Sequence, residues 1–268
     1  MEPLTIVGTG LAILGSRDLL NKVLGPTADY LGSETRNLVD KCNVNLDNVF
    51  KNATSKLGAR LEEPGGVSPR VLKHVLDDGR FADEEIVVEY YGGLLAGSKS
   101  LTGKDDRALP YLAKVQQMSA YQLRLHFLFY FEILRIFKDA PFNLGDGNTW
   151  PKHALILPHA LFLNALPKEE WVQENYWKIM AQAVVGLSQE GLVSRYTYGD
   201  LEKKNQQFED APVNAILMAP SFLGAELFMW AVGAESPSGH DFFSLDPLVI
   251  DKAIPIVGSA CRMKQPAG

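Results

Sequence analysis

The stretch 119–137, SAYQLRLHFLFYFEILRIF, constrains the fold more than any other. It contains no Gly or Pro, and its length is ordinary for a helix but long for a strand. At ~100° per residue, Arg124, Leu128, Glu132 and Arg135 share one side, while His126 falls on the opposite, apolar side. The pattern predicts a helix buried over most of its circumference, with one narrow polar stripe. Ser119 is placed to cap it, and Glu132 and Arg135 are spaced as an (i, i+3) pair. Arg124, Glu132 and Arg135 would each be costly in lipid, so the helix reads as part of a protein core rather than a membrane span. His126 reads as a hydrogen-bonded core residue.

The remaining composition narrows the class. With 46% hydrophobic and 22% charged residues in 268, the chain has the makeup of a globular protein with a sizeable core. A net charge of −6 gives no basic field, which argues against nucleic-acid binding by the surface as a whole. Cys42 and Cys261 stand far apart in no ligand spacing; this predicts neither a disulfide framework nor a zinc site, and fits a cytoplasmic protein. The start, MEPLTIVGTGLAILGSRD, lacks the basic region of a secretory signal, and its apolar run is shorter than the ~20 residues a spanning helix needs.

That start resembles a dinucleotide-binding turn only superficially. Gly8, Gly10 and Gly15 give GxGxxxxG, and Ile13 stands where the third glycine of GxGxxG belongs. A small-residue packing helix is the better reading. Beyond Gly25-Pro26, the residues Leu31, Leu38, Cys42, Leu46, Val49, Phe50, Ala53, Leu57 and Leu61 recur at helical spacing, predicting one long amphipathic helix ended by EEPGG. Ser68-Pro69 then opens a helix that stops at Gly79, and Asp83 is the expected cap of the next.

The second half changes texture. DAPFNLGDGNTWP (139–151) reads as a linker, dividing a helical domain at 1–140 from a second domain at 150–268. KHALILPHALFLNAL is an apolar segment with a proline break. The KEEWVQENYWKIMAQAVVGLSQ pattern predicts a helix ending at Gly191. LVSRYTY and VNAILMA (213–219) are strand candidates flanking a polar loop, and Ser221 caps a following helix. A weak helix is expected at 248–263. The fold class expected is mainly α: a helical N-terminal domain, then a small winged-helix-like α/β unit with one β-hairpin, the polar loop being its wing.

Several stretches together resemble the abortive infection alpha family (Abi-alpha), bacterial proteins linked to phage resistance. They are the small-residue start, LGPTADYLG (24–32), the long amphipathic helix, VSPRVLKHVLDDGRFAD (67–83), YYGGLLAGSKSLTGKDDRALPYL (90–112), LSQEGLVSRY (187–196) and PSFLGAELFMWAVG (220–233). The resemblance covers most of the chain in order and implies a mainly helical, cytosolic bacterial protein in antiphage defence. It brings no catalytic residues with it.

The residues themselves spell no GxSxG, HExxH, P-loop or paired-cysteine motif, so no catalytic, cofactor or metal residue is assigned. The acidic pair Asp105-Asp106 with Arg107 reads as a helix cap or a partner contact. Arg195, Lys203 and Lys204 are the candidate phosphate contacts if the winged-helix-like unit binds nucleic acid, although Glu202, Glu209 and Asp210 flank them. Gly8, Gly10 and Gly15 would let the first helix pack against copies of itself or act at a membrane. Three functions follow: a non-enzymatic sensor or assembly component working through protein partners or self-association, a membrane-acting effector, and a nucleic-acid-binding regulator.

Overall fold

The computed structural model describes residues 44–167, 176–200, 214–250 and 259–262. The chain divides into two compact units, the first taking residues up to Gln117 together with Trp230–Pro237, the second Met118–Met229 and the chain from Ser238 onward. The loop 139–151, read above as the domain boundary, lies inside the second unit.

In the first unit, α1 (Val44–Leu57) is the described part of the long amphipathic helix; residues 31–43, with Cys42, lie outside the described residues. Leu46, Val49, Phe50, Ala53 and Leu57 are buried, as their spacing requires. The helix stops before EEPGG because Gly58 takes φ +50°, where L side chains are strained, and a 3₁₀ turn, Gly58–Leu61, follows. The Lys99 ammonium closes that turn by donating to the carbonyls of Arg60, Leu61 and Glu63. Next come α2 (Pro69–Gly79), α3 (Glu85–Gly97) and α4 (Leu109–Gln117). Ser68 holds the N-cap position of α2 with Pro69 inside it, but its side chain makes no capping bond. The α3 cap is Glu84 rather than Asp83, and it too caps without its side chain.

Close approach in this unit rests on two glycines of α3. A Cβ on Gly92 would fall 2.2 Å from Asn52 Oδ1 of α1, and one on Gly93 would fall 1.9 Å from the Ala231 carbonyl oxygen. Beside them the buried Glu89 carboxylate accepts from the Lys56 ammonium and from Asn52 Nδ2 at 2.9 Å. Side chains therefore meet as a paired charge where α1 lies along α3, and the pair supplies hydrogen bonds that burial demands.

The second unit is organised around α5 (Ala120–Phe137). Ser119 and Gln122 form a reciprocal capping box, with Ser119 N–H donating to Gln122 Oε1 at 2.7 Å. Leu123 and Leu125 through Leu134 are all buried. The expected polar stripe is therefore partly internal: Glu132 is fully buried and pairs with Arg135 at 2.7 Å. Loop 139–151 then folds on its own side chains. Asn143 Oδ1 accepts the Gly145 N–H, Asp146 Oδ1 accepts the Asn148 N–H, and Trp150 Nε1 donates to the Leu144 carbonyl.

After the loop come β1 (Leu155–Pro158), α6 (His159–Asn164), α7 (Tyr176–Gln189), β2 (Val193–Asp200), β3 (Asn214–Pro220), α8 (Phe222–Ala231) and β4 (Cys261–Arg262). The sheet order is β2-β3-β1-β4, and its pairings are antiparallel. The expected hairpin is β2–β3, running from Val193↔Pro220 to Asp200↔Asn214 with a bulge between Val193 and Arg195. The strand β1 was not expected. Pro158, the expected break in this apolar segment, is its last residue, and Leu155 and Leu157 pair with Met218 and Ile216 on β3. The helix expected at 248–263 is corrected where the chain is described, since residues 259–262 are extended. As expected, Gly191 at φ +70° follows α7, and Ser221 Oγ accepts the Gly224 N–H to cap α8. The described chain is thus mainly helical with one small antiparallel sheet.

Tyr130, buried at the middle of α5, ties these elements together. Its hydroxyl donates to the Leu192 carbonyl at 2.6 Å, at the entry to β2, and accepts the Ser221 N–H at 2.9 Å, between β3 and α8. Tyr130→Phe would strand both backbone groups in the core. It should lower unfolding free energy by about 1–3 kcal/mol, read from urea denaturation of variant and wild type side by side.

Candidate interaction surface

The outward positions of β2, where the candidate contact Arg195 falls, and of α7 before it make up the candidate surface. On α7, Tyr176 to Gln189, the buried residues are Met180, Ala183, Val184 and Leu187. Lys178, Gln182 and Gln189 are exposed on the other side, so α7 shows solvent a mostly uncharged polar face with a single cation. On β2, Ser194, Arg195, Tyr196 and Tyr198 are exposed. Strand alternation puts Tyr196 and Tyr198 on one face, opposite Met218 and Ile216, and their rings lie parallel with centroids 6.3 Å apart. At 37% and 41% exposure the two rings form a flat aromatic step on the sheet edge.

The predicted site residues separate. Arg195 is on this strand, exposed. Lys203 and Lys204 lie outside the described residues, as do Gly8, Gly10 and Gly15. Asp105, Asp106 and Arg107 belong to the first unit and are engaged in ion pairs. Arg107 forks onto Asp105, with Nη2 to Oδ2 at 2.6 Å, and Asp106 pairs with Arg70. Hydrogen bonds from Arg107 hold the Asp105 carboxyl below its usual range. The Arg107 side chain is 58% exposed. Reasoning from sequence missed the tyrosine pair; the signal was there as aromatics at i and i+2 in RYTY, on a strand already expected.

The polar groups nearest to a chemical constellation are buried instead of open. His126 Nε2 is hydrogen-bonded to the Gly224 carbonyl at 3.1 Å, and Ser221 Oγ donates to the Gly191 carbonyl at 2.7 Å. Burial raises the Tyr130 hydroxyl well above the ordinary tyrosine range and lowers His126 to about 3. All three side chains are spent on backbone groups of the core. Among the described residues no cluster of His, Cys, Asp and Glu could hold a metal ion, and no helix is long and apolar enough to cross a membrane. No family model, curated protein or solved structure matches this chain. The resemblance to the abortive infection alpha family therefore rests on the stretches quoted above.

The buried His126 gives a pH signature. Its folded value lies below the unfolded value near 6.5, so the unfolded chain binds a proton that the native core excludes. Its stabilisation is complete above about pH 6.5 and is lost as pH falls toward 3. Between pH 6 and 4, His126→Gln should show a shallower dependence of unfolding free energy on pH than wild type. The difference should approach one proton, about 1.4 kcal/mol per pH unit, measured by urea melts at each pH.

Proposed function

We propose that this chain is a non-enzymatic component of bacterial antiphage defence, and that its second unit is a winged-helix module used to bind protein. Two features support the winged-helix part. The order α5-β1-α6-α7-β2-β3 follows the helix–strand–helix–helix–strand–strand order of such modules, and β3 lies between β2 and β1 in the sheet. The polar loop between β2 and β3 would be the wing. The link to defence comes from the family resemblance.

The observation that carries the choice of protein as ligand is the chemistry of the exposed residues. Lys178 and Arg195 are the cations on α7 and β2, and Tyr196 and Tyr198 present a stacked aromatic surface. Phosphate contacts need clustered cations, whereas tyrosine is enriched in protein interfaces. Two phosphate contacts would give duplex DNA binding a log–log salt slope of only about −2. A nucleic-acid reading keeps one specific support, the exposure of Arg195 on β2, with Lys203 and Lys204 following it in the sequence. The membrane-acting reading rests on Gly8, Gly10 and Gly15 and gains no further support.

Phage plating on a bacterial host expressing the full chain tests the proposal. Protection by wild type should be lost in the double variant Tyr196→Ser/Tyr198→Ser, with the purified variant melting as wild type does. Protection that survives the double change but fails in Arg195→Glu, together with salt-dependent anisotropy of labelled duplex DNA, would replace the protein reading with the nucleic-acid one.

A further inference from the structure

The loop 139–151 carries a chemistry that neither the interaction surface nor the core uses. Asp146 is followed by Gly147, and the chain has one other such pair, Asp78-Gly79. An aspartate side-chain carbon lies within reach of the next residue's amide nitrogen, and a five-membered ring can close between them where that nitrogen is accessible. Glycine leaves it most accessible, because no Cβ screens the approach.

The two pairs sit in opposite settings. Gly79 is buried as the last residue of α2, and its N–H is committed to the helix. Gly147 is exposed. Around it, Gly145 donates its N–H to Asn143 Oδ1 at 2.9 Å, Asp146 to the Asn143 carbonyl at 3.1 Å, and Thr149 to the Asp146 carbonyl at 3.0 Å. The Gly147 N–H has no acceptor among the described residues. Nothing in the fold calls for glycine at this position. Its φ lies outside the left-handed region, and a Cβ would meet the Trp150 ring at an ordinary 3.7 Å. What restrains the Asp146 carboxylate is Asn148, whose N–H and Nδ2 both donate to Oδ1 at 3.0 Å. Freeing the carboxylate takes rotation of one side chain, a local opening that leaves the rest of the turn in place.

We propose that Asp146-Gly147 is a modification site at which the folded chain forms isoaspartate. The Gly147 nitrogen bonds to Asp146 Cγ, and its proton leaves with the carboxyl hydroxyl as water, giving a succinimide. Water then opens the ring. Opening at Cγ restores aspartate; opening at the main-chain carbonyl gives isoaspartate, so no other reagent is consumed. The product has an extra methylene in its main chain and its carboxylate directly on Cα, which removes the acceptor from Asn148. This stands apart from the β2 surface and from the winged-helix reading.

Ageing full-length protein, folded, at neutral pH and physiological temperature tests the site. Peptide mapping should find several-fold more isoaspartate at 146 than at 78. Gly147→Ala, which the space around Gly147 admits, should lower the yield at 146 several-fold without moving the melting temperature. Asn148→Ala keeps the N–H bond to Asp146, loses the Nδ2 bond and should raise the yield. In the isomerised fraction the Asn148 amide should exchange with deuterium faster than in the unmodified fraction. Isoaspartate at 146 only after unfolding in urea, or equally fast at 78, would overturn the proposal. A yield in Gly147→Ala or Asn148→Ala equal to that of wild type would do the same, as would equal amide exchange in the two fractions.

Discussion

A phenol in the middle of α5 holds the second unit to a single arrangement. The Tyr130 hydroxyl both gives and takes a hydrogen bond, and both partners are main-chain groups at points where the chain changes direction. Backbone groups at such turns lack partners within any helix or ladder, and a buried one left unmet is costly. One oxygen settles two of them. Around it Phe127, Phe129, Phe228 and Phe242 pack at angles, with Tyr130 edge-on to Phe242 at 6.1 Å between centroids. The ring supplies apolar area while the hydroxyl fixes register, so position and packing are set by the same side chain.

The first unit solves a different problem. Helices α1 and α3 approach closely enough that Gly92 has no room for a methyl group beside Asn52, and Gly93 has none beside the Ala231 carbonyl. Glu89 is placed there with Lys56 and Asn52 as its donors. Lys99 follows the same logic at the end of the 3₁₀ turn, where its ammonium meets the carbonyls of Arg60, Leu61 and Glu63. Burial lowers its affinity for a proton, while the nearby Glu63 carboxylate favours the charged form.

Local pattern made much of this visible in advance. Ser119 announced α5, Gly191 closed α7, and the alternation in LVSRYTY and VNAILMA gave a hairpin whose strands pair as expected. What escaped was decided by distant residues. LILP is too short and too uniformly apolar to be told from part of a buried helix, and it becomes a strand because β3 offers it a partner. The loop 139–151 looked like a linker because Gly, Pro, Asn and Asp serve linkers and tight turns equally well. Of the candidate site, Arg195 and its strand were legible. The tyrosine step needed the bulge near Ser194 and the β3 register to fix which face the rings occupy. The Glu132–Arg135 pair was legible, but nothing local links position 132 to position 260, whose N–H the Glu132 carboxylate accepts.

That same loop has a practical side. Asparagine and aspartate side chains reach back to its own N–H groups, and Phe142 lies flat on His153 with ring centroids 3.7 Å apart. A protease must draw its substrate into an extended form, and composition alone would mark 139–151 as the place to cut. Its internal bonds and stacked rings resist that drawing-out, so nicking there would require the stack and the turns to come undone together. A stretch with the letters of a hinge behaves as a brace.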